Sequence, residues 1–258
     1  MLRLTRIEEG ACYVTDTTNL YVAWSMLCAA SKLFWGCGII KDLDRAKSLS
    51  DQAFGDKPEA LPELIELLQN VESPVLDAVR IVICFENYFK AKMLLEGYVI
   101  HQMDLAVCRQ YYPQFVIGNA KKALLQKTSP ILIEEVKHAE NPEDNSLEPL
   151  RTLTKQTISM SILLEQSKYQ SLYLSDQIQD NQKLLSVLQS MNNSRNTLHF
   201  LNIEYIASGR AIGDFGFLRN YVTTQIDALA DKIVDESKSE LEIGKAEIDH
   251  LLDIEFDS

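Results

Sequence analysis

The sequence predicts an all-α protein, a bundle of long helices, and it allows a small β-hairpin at the N-terminus. Its 258 residues include only ten Gly and seven Pro, so residues that favour turns are scarce. Residues with high helix propensity, such as Leu, Ala, Glu and Lys, are abundant instead. Because 46% of the residues are hydrophobic, the chain can bury a substantial core.

The first half of the chain carries helical patterns separated by short breaks. Alternating apolar and polar residues around Glu8, Glu9 and Gly10 favour the hairpin, over about residues 2–14. Further on, apolar residues recur at helical spacing. The predicted helices cover about residues 19–35, 43–54, 61–70 and 75–100. The last of them is apolar on more than one face, which is typical of a central helix in a bundle.

The second half begins with a connection near residues 128–150, which contains three prolines and a polar run. A long helix is predicted from about residue 153 to 190, followed by a break at MNNS, residues 191–194. We expect Asn193 or Ser194 to cap a new helix that continues to about residue 207.

The C-terminal region opens with three closely spaced glycines, which predict a loop; they are Gly209, Gly213 and Gly216. A last helix is expected over residues 218–233, where apolar residues return at helical spacing. We therefore divide the chain into a helical body at residues 1–235, with inserted helices and the loop near 128–150, and an acidic segment at residues 236–258.

Acidic residues outnumber basic ones, and the net charge is −12. Half of this excess lies in residues 236–258, where eight acidic residues and two lysines give −6. Long-range attraction to nucleic acid is not expected, so any contact with RNA has to be local. The same segment contains seven large apolar residues, so we expect it to dock as a helix or strand, on the chain itself or on a basic partner.

The five cysteines form no C-x-x-C pair. An odd number without a secretory signal favours a reducing, cytoplasmic location. Residues 20–40 are the only candidate for a membrane span. Lys32 lies well inside this stretch and two glycines, Gly36 and Gly38, break its end, so a buried core helix is favoured over a transmembrane helix.

The stretch MNNSRNTLHF, residues 191–200, places Arg195 and Asn196 shortly before His199. On one helix, Arg195 and His199 would share a face about one turn apart. Histidine suits proton transfer near neutral pH, and arginine can hold a phosphate. Such a pair could cleave RNA without a metal, with one group assisting attack by the ribose 2′-OH and the other stabilising the phosphorane. The same spacing also occurs in ordinary helices.

Two segments resemble the HEPN superfamily (higher eukaryotes and prokaryotes nucleotide-binding domains). FENYFKAKMLLEGYVIHQMD, residues 85–104, is similar to an early helix of the family, in which Glu, Lys-Ala and a following Gly recur amid apolar residues. SRNTLHF, residues 194–200, is similar to the family's Arg-Asn…His motif near the start of a late helix. The resemblance implies an all-helical fold and a metal-independent ribonuclease site of Arg195, Asn196 and His199, composite across a homodimer.

Other polar residues offer weaker candidates. Glu86 could project towards the same polar face, or it could be neutralised by Lys90 one turn later. His101 and Asp104 could both contact a metal, but no third ligand is evident, so we expect neither a metal nor a cofactor. The glycine-rich ASGRAIGDFG lacks the Lys-Ser/Thr of a phosphate loop. The aromatic RQYYPQF could stack on bases or pack in a core.

Two function classes follow. The first is a HEPN-like, metal-independent endoribonuclease or RNA-binding protein of the toxin–antitoxin or defence type, acting as a homodimer, with RNA and a protein partner or antitoxin as candidate partners. The second is a non-enzymatic helical protein that binds a protein partner. The two matched segments favour the first class. The acidic balance and the short spacing between Arg195 and His199 favour the second.

Overall fold

The computed structural model describes residues 16–70, 74–96, 100–103, 153–165, 167–174, 178–197 and 209–256. These residues are helical apart from one pair of short antiparallel strands, which confirms the all-α class. The predicted hairpin at residues 2–14 and the connection near 128–150 lie outside the described residues.

The helices of the first half begin and end close to their predicted limits. They are α1 (Asp16–Trp35), α2 (Gly38–Lys41), α3 (Leu43–Ala53), α4 (Leu61–Asn70) and α5 (Pro74–Leu95). A 3₁₀ turn at Pro58–Ala60 leads into α4. The short helix α2 has no counterpart among the predicted helices, and α5 ends before residue 100, its predicted limit.

The second half departs further from the prediction. Its elements are β1 (His101–Met103), β2 (Leu153–Thr157), α6 (Met160–Glu165), α7 (Ser167–Tyr173), α8 (Ile178–Thr197), α9 (Gly209–Tyr221), α10 (Ala228–Glu236) and α11 (Lys238–Phe256). A π-helical turn at Val222–Asp227 connects α9 to α10.

The single long helix predicted over residues 153–190 is wrong. Strand β2 occupies its beginning and pairs antiparallel with β1. Just beyond the strands, the Ile158 N–H donates to the Ile100 carbonyl at 2.8 Å. The β-branched Thr154 and Thr157 favour an extended conformation. The sequence pattern misses β2 because its partner strand lies far away in the chain.

The loop predicted at the three glycines is also wrong, because α9 includes them all. A helical glycine costs about 1 kcal/mol relative to alanine. Against this cost, the side chains of Ile212, Phe215 and Leu218 are buried at helical spacing. Burying each large apolar side chain contributes about 1.5–3 kcal/mol, so burial outweighs the intrinsic preference.

The chain divides into two compact units, each considered by itself. Unit 1 comprises Met1–Met26, Phe89–Tyr173 and Ile233–Ser258. Within it, the rings of Phe89 and Tyr173 stack with centroids 3.8 Å apart. The Tyr173 hydroxyl donates to the Leu163 carbonyl at 2.7 Å, and Lys92 Nζ donates to the Tyr173 carbonyl at 3.1 Å. These contacts fix α6 and α7 to the C-terminal part of α5.

Most of the acidic segment forms α11, which packs on the beginning of α1 within unit 1. The Thr17 hydroxyl donates to the Glu247 carboxylate at 3.0 Å, and Leu241 is buried. A Cβ on Gly244 would collide with the Thr17 carbonyl, so the two helices approach each other closely at this glycine. The segment therefore docks as a helix on the chain itself, one of the two arrangements that the sequence predicts.

Unit 2 comprises Leu27–Tyr88 and Leu174–Lys232. In this unit α3 packs against both α4 and α9. The second contact includes a hydrogen-bonded ion pair, because Arg219 Nη2 lies 2.7 Å from Asp44 Oδ1. Leu64, Leu67 and Leu68 of α4 are buried, so this apolar side of the helix faces the core of the unit.

Helix α1 is a core helix, as predicted. Ala23, Leu27, Ala30 and Phe34 are fully buried and recur every three or four residues. No helix among the described residues is both long and apolar enough to cross a membrane.

Candidate functional site

Arg195 and Asn196 lie in the last turn of α8, whereas His199 lies outside the described residues. The predicted break at residues 191–194 is wrong, because α8 continues through it. Burial of Met191 supports this continuity. In addition, Gln189 Nε2 donates to Asn193 Oδ1 at 3.0 Å, so the Asn193 side chain bonds along the helix instead of capping a new one.

The continuity of α8 fixes where the backbone of Arg195 lies. Leu184, Leu188 and Met191 are at most 4% exposed and follow one another at intervals of four and three residues. Arg195 is the next position in this series, so its Cα lies on the buried side of α8. Asn192, which is only 2% exposed, brings a polar group to the same side one turn earlier.

Helix α9 is in contact with both α5 and α8, and each of these helices holds part of one matched sequence segment. From α5, the ring of Phe85 lies 5.8 Å from that of Tyr221, between centroids. From α8, Lys183 Nζ lies 4.6 Å from the ring centroid of Phe217, a cation–π contact. Residues of α5 and α8 therefore pack against one helix within unit 2.

Two tyrosine side chains, including their hydroxyl groups, are buried where α5 meets α9. Tyr88 and Tyr221 meet edge to face, with ring centroids 6.1 Å apart. Burial is the main reason why the pKa of each is raised. The Tyr221 hydroxyl has no hydrogen bond of good geometry to the described residues, although it lies close enough to the Tyr88 hydroxyl for the two to influence each other's pKa. Neither phenol is poised to exchange a proton near neutral pH.

The predicted supporting residues Glu86 and Lys90 lie one turn apart on α5. Glu86 is half-buried, and Lys90 is 5% exposed. Lys90 Nζ donates to Thr157 Oγ1 at 2.9 Å, at the end of β2. The ammonium group therefore has a structural role in unit 1 that the sequence does not reveal. An ion pair between Glu86 and Lys90, and support of catalysis by either, stay predictions.

A buried carboxylate that the sequence analysis does not single out lies in unit 2. Asp77 is 2% exposed, and its Oδ2 accepts a hydrogen bond of 3.0 Å from the Ile39 N–H. Its Oδ1 accepts a hydrogen bond of 3.2 Å from Arg80, which also donates to the Gly36 carbonyl at 3.3 Å. This cluster ties α2 to α5. Its signal in the sequence is an acid and a base three residues apart in an apolar helix.

Cys37 lies against this cluster as an unreactive thiol. Its Sγ donates to the carbonyls of Leu33 and Asp77, at 3.4 and 3.7 Å. Burial, followed by the neighbouring Asp77 carboxylate, raises the pKa of Cys37 to about 12. Burial also raises the pKa of Cys84. Because the thiolate is the nucleophilic form, neither residue is a candidate nucleophile near neutral pH.

The described residues contain no group of three His, Cys, Asp or Glu side chains that could hold a metal ion. Of the metal candidates predicted from the sequence, His101 lies in β1 and Asp104 lies outside the described residues. His250 is exposed on α11.

The structure gives the backbone position of Arg195 and Asn196 at the end of α8. What kind of site they belong to still depends on the two matched sequence segments, residues 85–104 and 194–200. The distance between Arg195 and His199 lies outside what the structure describes. A scan against family models, a search of curated proteins and a search of solved structures each found no match to this chain.

Proposed function

We propose that the protein is a HEPN-like endoribonuclease that acts without a metal. Arg195 binds the scissile phosphate, His199 moves the proton, and Asn196 orients the reacting groups. The observation that carries this proposal is the position of Arg195 on α8, in register with the buried Leu184, Leu188 and Met191.

An arginine that is taken out of water needs a partner. Burying a guanidinium group without an anion or hydrogen-bond acceptors costs several kcal/mol. A phosphodiester is a suitable partner, because its two free oxygens match the planar donors of arginine. A carboxylate of the chain would be the structural alternative. The two are distinguishable, since only the phosphate makes Arg195 necessary for activity and dispensable for folding.

The proposed reaction is an internal transfer at phosphorus. The ribose 2′-oxygen attacks the phosphorus atom and forms a new P–O bond, while the bond to the 5′-oxygen of the next nucleotide breaks. The imidazole of His199 takes the proton of the 2′-OH, and the imidazolium so formed gives this proton to the departing 5′-oxygen. The charge of Arg195 stabilises the phosphorane, in which negative charge accumulates. The products are a 2′,3′-cyclic phosphate and a 5′-hydroxyl.

The net charge shapes how RNA is bound. At −12 the chain repels RNA at long range, so affinity has to come from few, short contacts. Because each phosphate contact releases about one counterion, the affinity should fall with salt by a log–log slope of only about −1 to −2. A steep slope would instead require a basic surface elsewhere.

The test compares single substitutions with matched controls. Arg195→Ala and His199→Ala should each abolish cleavage of a labelled RNA in the presence of a chelator, with unchanged thermal unfolding. The controls are Arg219→Ala, which removes an exposed ion pair with Asp44, and His250→Ala on exposed α11. Both controls should retain full activity. If folded wild-type protein leaves varied RNAs uncut as a monomer and as a dimer, or if Arg195→Ala unfolds it, the proposal fails.

A further inference from the structure

Three large apolar side chains are exposed on one helical hairpin of unit 2, formed by α3, the 3₁₀ turn and α4. Phe54 is 64% exposed, Leu61 is 38% exposed and Ile65 is 40% exposed. Among the described residues, they make up half of the six large hydrophobic side chains that are exposed. Scattered apolar residues are ordinary on a protein surface, but a concentration in one place indicates a binding surface.

The topology places these side chains at the connecting end of the hairpin. Phe54 directly follows α3, and Leu61 is the first residue of α4. Ile65 lies one turn after Leu61 on the same side of α4. Leu61 and Ile65 border the buried face of α4, which carries Leu64, Leu67 and Leu68. More than a third of each of the three side chains therefore stays exposed after the unit has packed.

Acidic residues surround the apolar ones. Residues 51–66 contain five acidic residues and one lysine, which gives 1 − 5 = −4, and all six charged residues are exposed. A cleft of about 480 Å³ beside α3 is lined by Asp51 and Asp56, and also by Lys47 and Lys57, so the cleft itself is not strongly acidic. One of the five acidic residues, Glu63, is paired with the nearby Arg45 at 2.9 Å, so the net charge including Arg45 is −4 + 1 = −3.

We propose that this hairpin surface, defined by Phe54, Leu61 and Ile65 with the acidic residues between positions 51 and 66, binds a cationic amphipathic helix of a protein partner. The apolar face of such a helix covers the three exposed side chains. Its lysines and arginines lie opposite the acidic rim.

The charge excludes other occupants. RNA and anionic membrane surfaces are both repelled by a patch of net charge −3. A second copy of the chain would bring the same acidic rim against itself, because a twofold contact uses the same patch on both subunits. A cationic helix satisfies the apolar and the charged parts of the surface together.

A designed peptide provides the probe. It has about 18 residues of Leu and Lys, arranged so that the Leu residues form one helical face. The control peptide has the same composition and charge in a scrambled order. Fluorescence anisotropy with the full-length protein measures both. We expect the amphipathic peptide to bind about tenfold or more tightly than the scrambled one. Equal binding of the two peptides, or no binding, would overturn the proposal.

Matched variants locate the binding surface. The double variant Leu61→Gln/Ile65→Gln keeps good helix formers and should weaken binding of the amphipathic peptide by about tenfold or more. The control variant Leu76→Gln/Ile243→Gln changes two exposed apolar residues elsewhere, of 51% and 52% exposure, and should leave binding unchanged. Equal weakening in both double variants would refute the assignment.

A charge test completes the experiment. Glu59→Gln/Glu66→Gln should weaken binding and flatten its dependence on salt, whereas Glu240→Gln/Glu242→Gln on α11 should not. If the two pairs behave alike, the peptide responds to overall charge and the proposal is wrong. Circular dichroism confirms that each variant is folded. None of these substitutions touches α8, so the outcome is independent of RNA cleavage.

Discussion

Substitution of Asp77 tests how the polar cluster holds α2 against α5. In Asp77→Ala, the Ile39 N–H and Arg80 each lose a carboxylate acceptor, at 3.0 and 3.2 Å. Hydrogen bonds to charged groups contribute about 1.5–3 kcal/mol each. The two contributions differ, because Ile39 is 3% exposed whereas the Arg80 side chain is 34% exposed.

The Ile39 amide should account for most of the loss. Water does not reach the Ile39 N–H, so in Asp77→Ala this buried donor is left without an acceptor, at a cost of about 1–3 kcal/mol. Arg80 keeps its bond to the Gly36 carbonyl and can turn partly to solvent, so its contribution is about 1 kcal/mol. Together, Asp77→Ala should lower the free energy of unfolding by about 3 kcal/mol.

Urea denaturation and hydrogen exchange at the Ile39 amide measure this effect. Asp77→Asn retains an oxygen acceptor but not the charge, so it should cost about half as much as alanine. The exposed Asp51→Ala serves as the control and should change stability by less than about 0.5 kcal/mol. If Asp77→Ala costs no more than Asp51→Ala, or if exchange at Ile39 is unchanged, the assigned role of Asp77 is wrong.

Three further predictions concern two helical glycines, the pKa of Cys37 and the oligomeric state. Gly244→Ala should lower stability by about 1–3 kcal/mol, because the new Cβ would collide with the Thr17 carbonyl. Gly216→Ala, also in a helix but with nothing within 4 Å, should raise stability by about 0.5–1 kcal/mol, and thermal unfolding of both variants checks the contrast. The pKa of Cys37 rises from 9.0 to about 12 on folding, so above pH 9 the unfolded chain binds fewer protons than the folded one. Stability should therefore fall as pH rises from about 9 to 12, and Cys37→Ala should remove up to about 1.4 kcal/mol per pH unit of that fall in urea titrations; identical slopes would contradict the burial of this thiol. Light scattering at micromolar concentration should report a homodimer, as the HEPN resemblance implies, and a monomer would weaken the case for a composite site.

The sequence predicts those elements whose signal is local. Helices α1, α3 and α4 are predicted well because their apolar residues recur at helical spacing between clear breaks. Strand β2 is missed because it depends on pairing with β1, which no local pattern encodes. Helix α9 is missed because the burial of Phe215 and Leu218 outweighs the preference of its glycines.

The candidate site likewise has features that the sequence predicts and features that depend on the tertiary structure. Its residue types, Arg195, Asn196 and His199, are recognised from the sequence alone. The position of Arg195 on the buried side of α8 is not, because the Asn-rich stretch before it resembles a break and is held helical by tertiary burial of Met191. The contact of Lys90 with Thr157 depends on β2 and is equally hidden from the sequence.

Helix α5 is apolar on more than one face, but this does not by itself require a second copy of the chain. Ile81, Phe85, Phe89 and Met93 are all fully buried within one chain. The apolar surface of α5 is therefore largely satisfied without a second copy. The homodimer stays a prediction that depends on the HEPN resemblance alone.

Attack by the ribose 2′-OH is the central claim, and one substrate tests it directly. A labelled DNA oligonucleotide that contains a single ribonucleotide offers one 2′-OH in an otherwise inert chain. With wild-type protein and a chelator, we predict cleavage only on the 3′ side of that ribonucleotide, leaving a 2′,3′-cyclic phosphate, and no cleavage with His199→Ala. An intact oligonucleotide, when an all-RNA strand is cut by the same protein, or cleavage at deoxyribonucleotides, would contradict this mechanism.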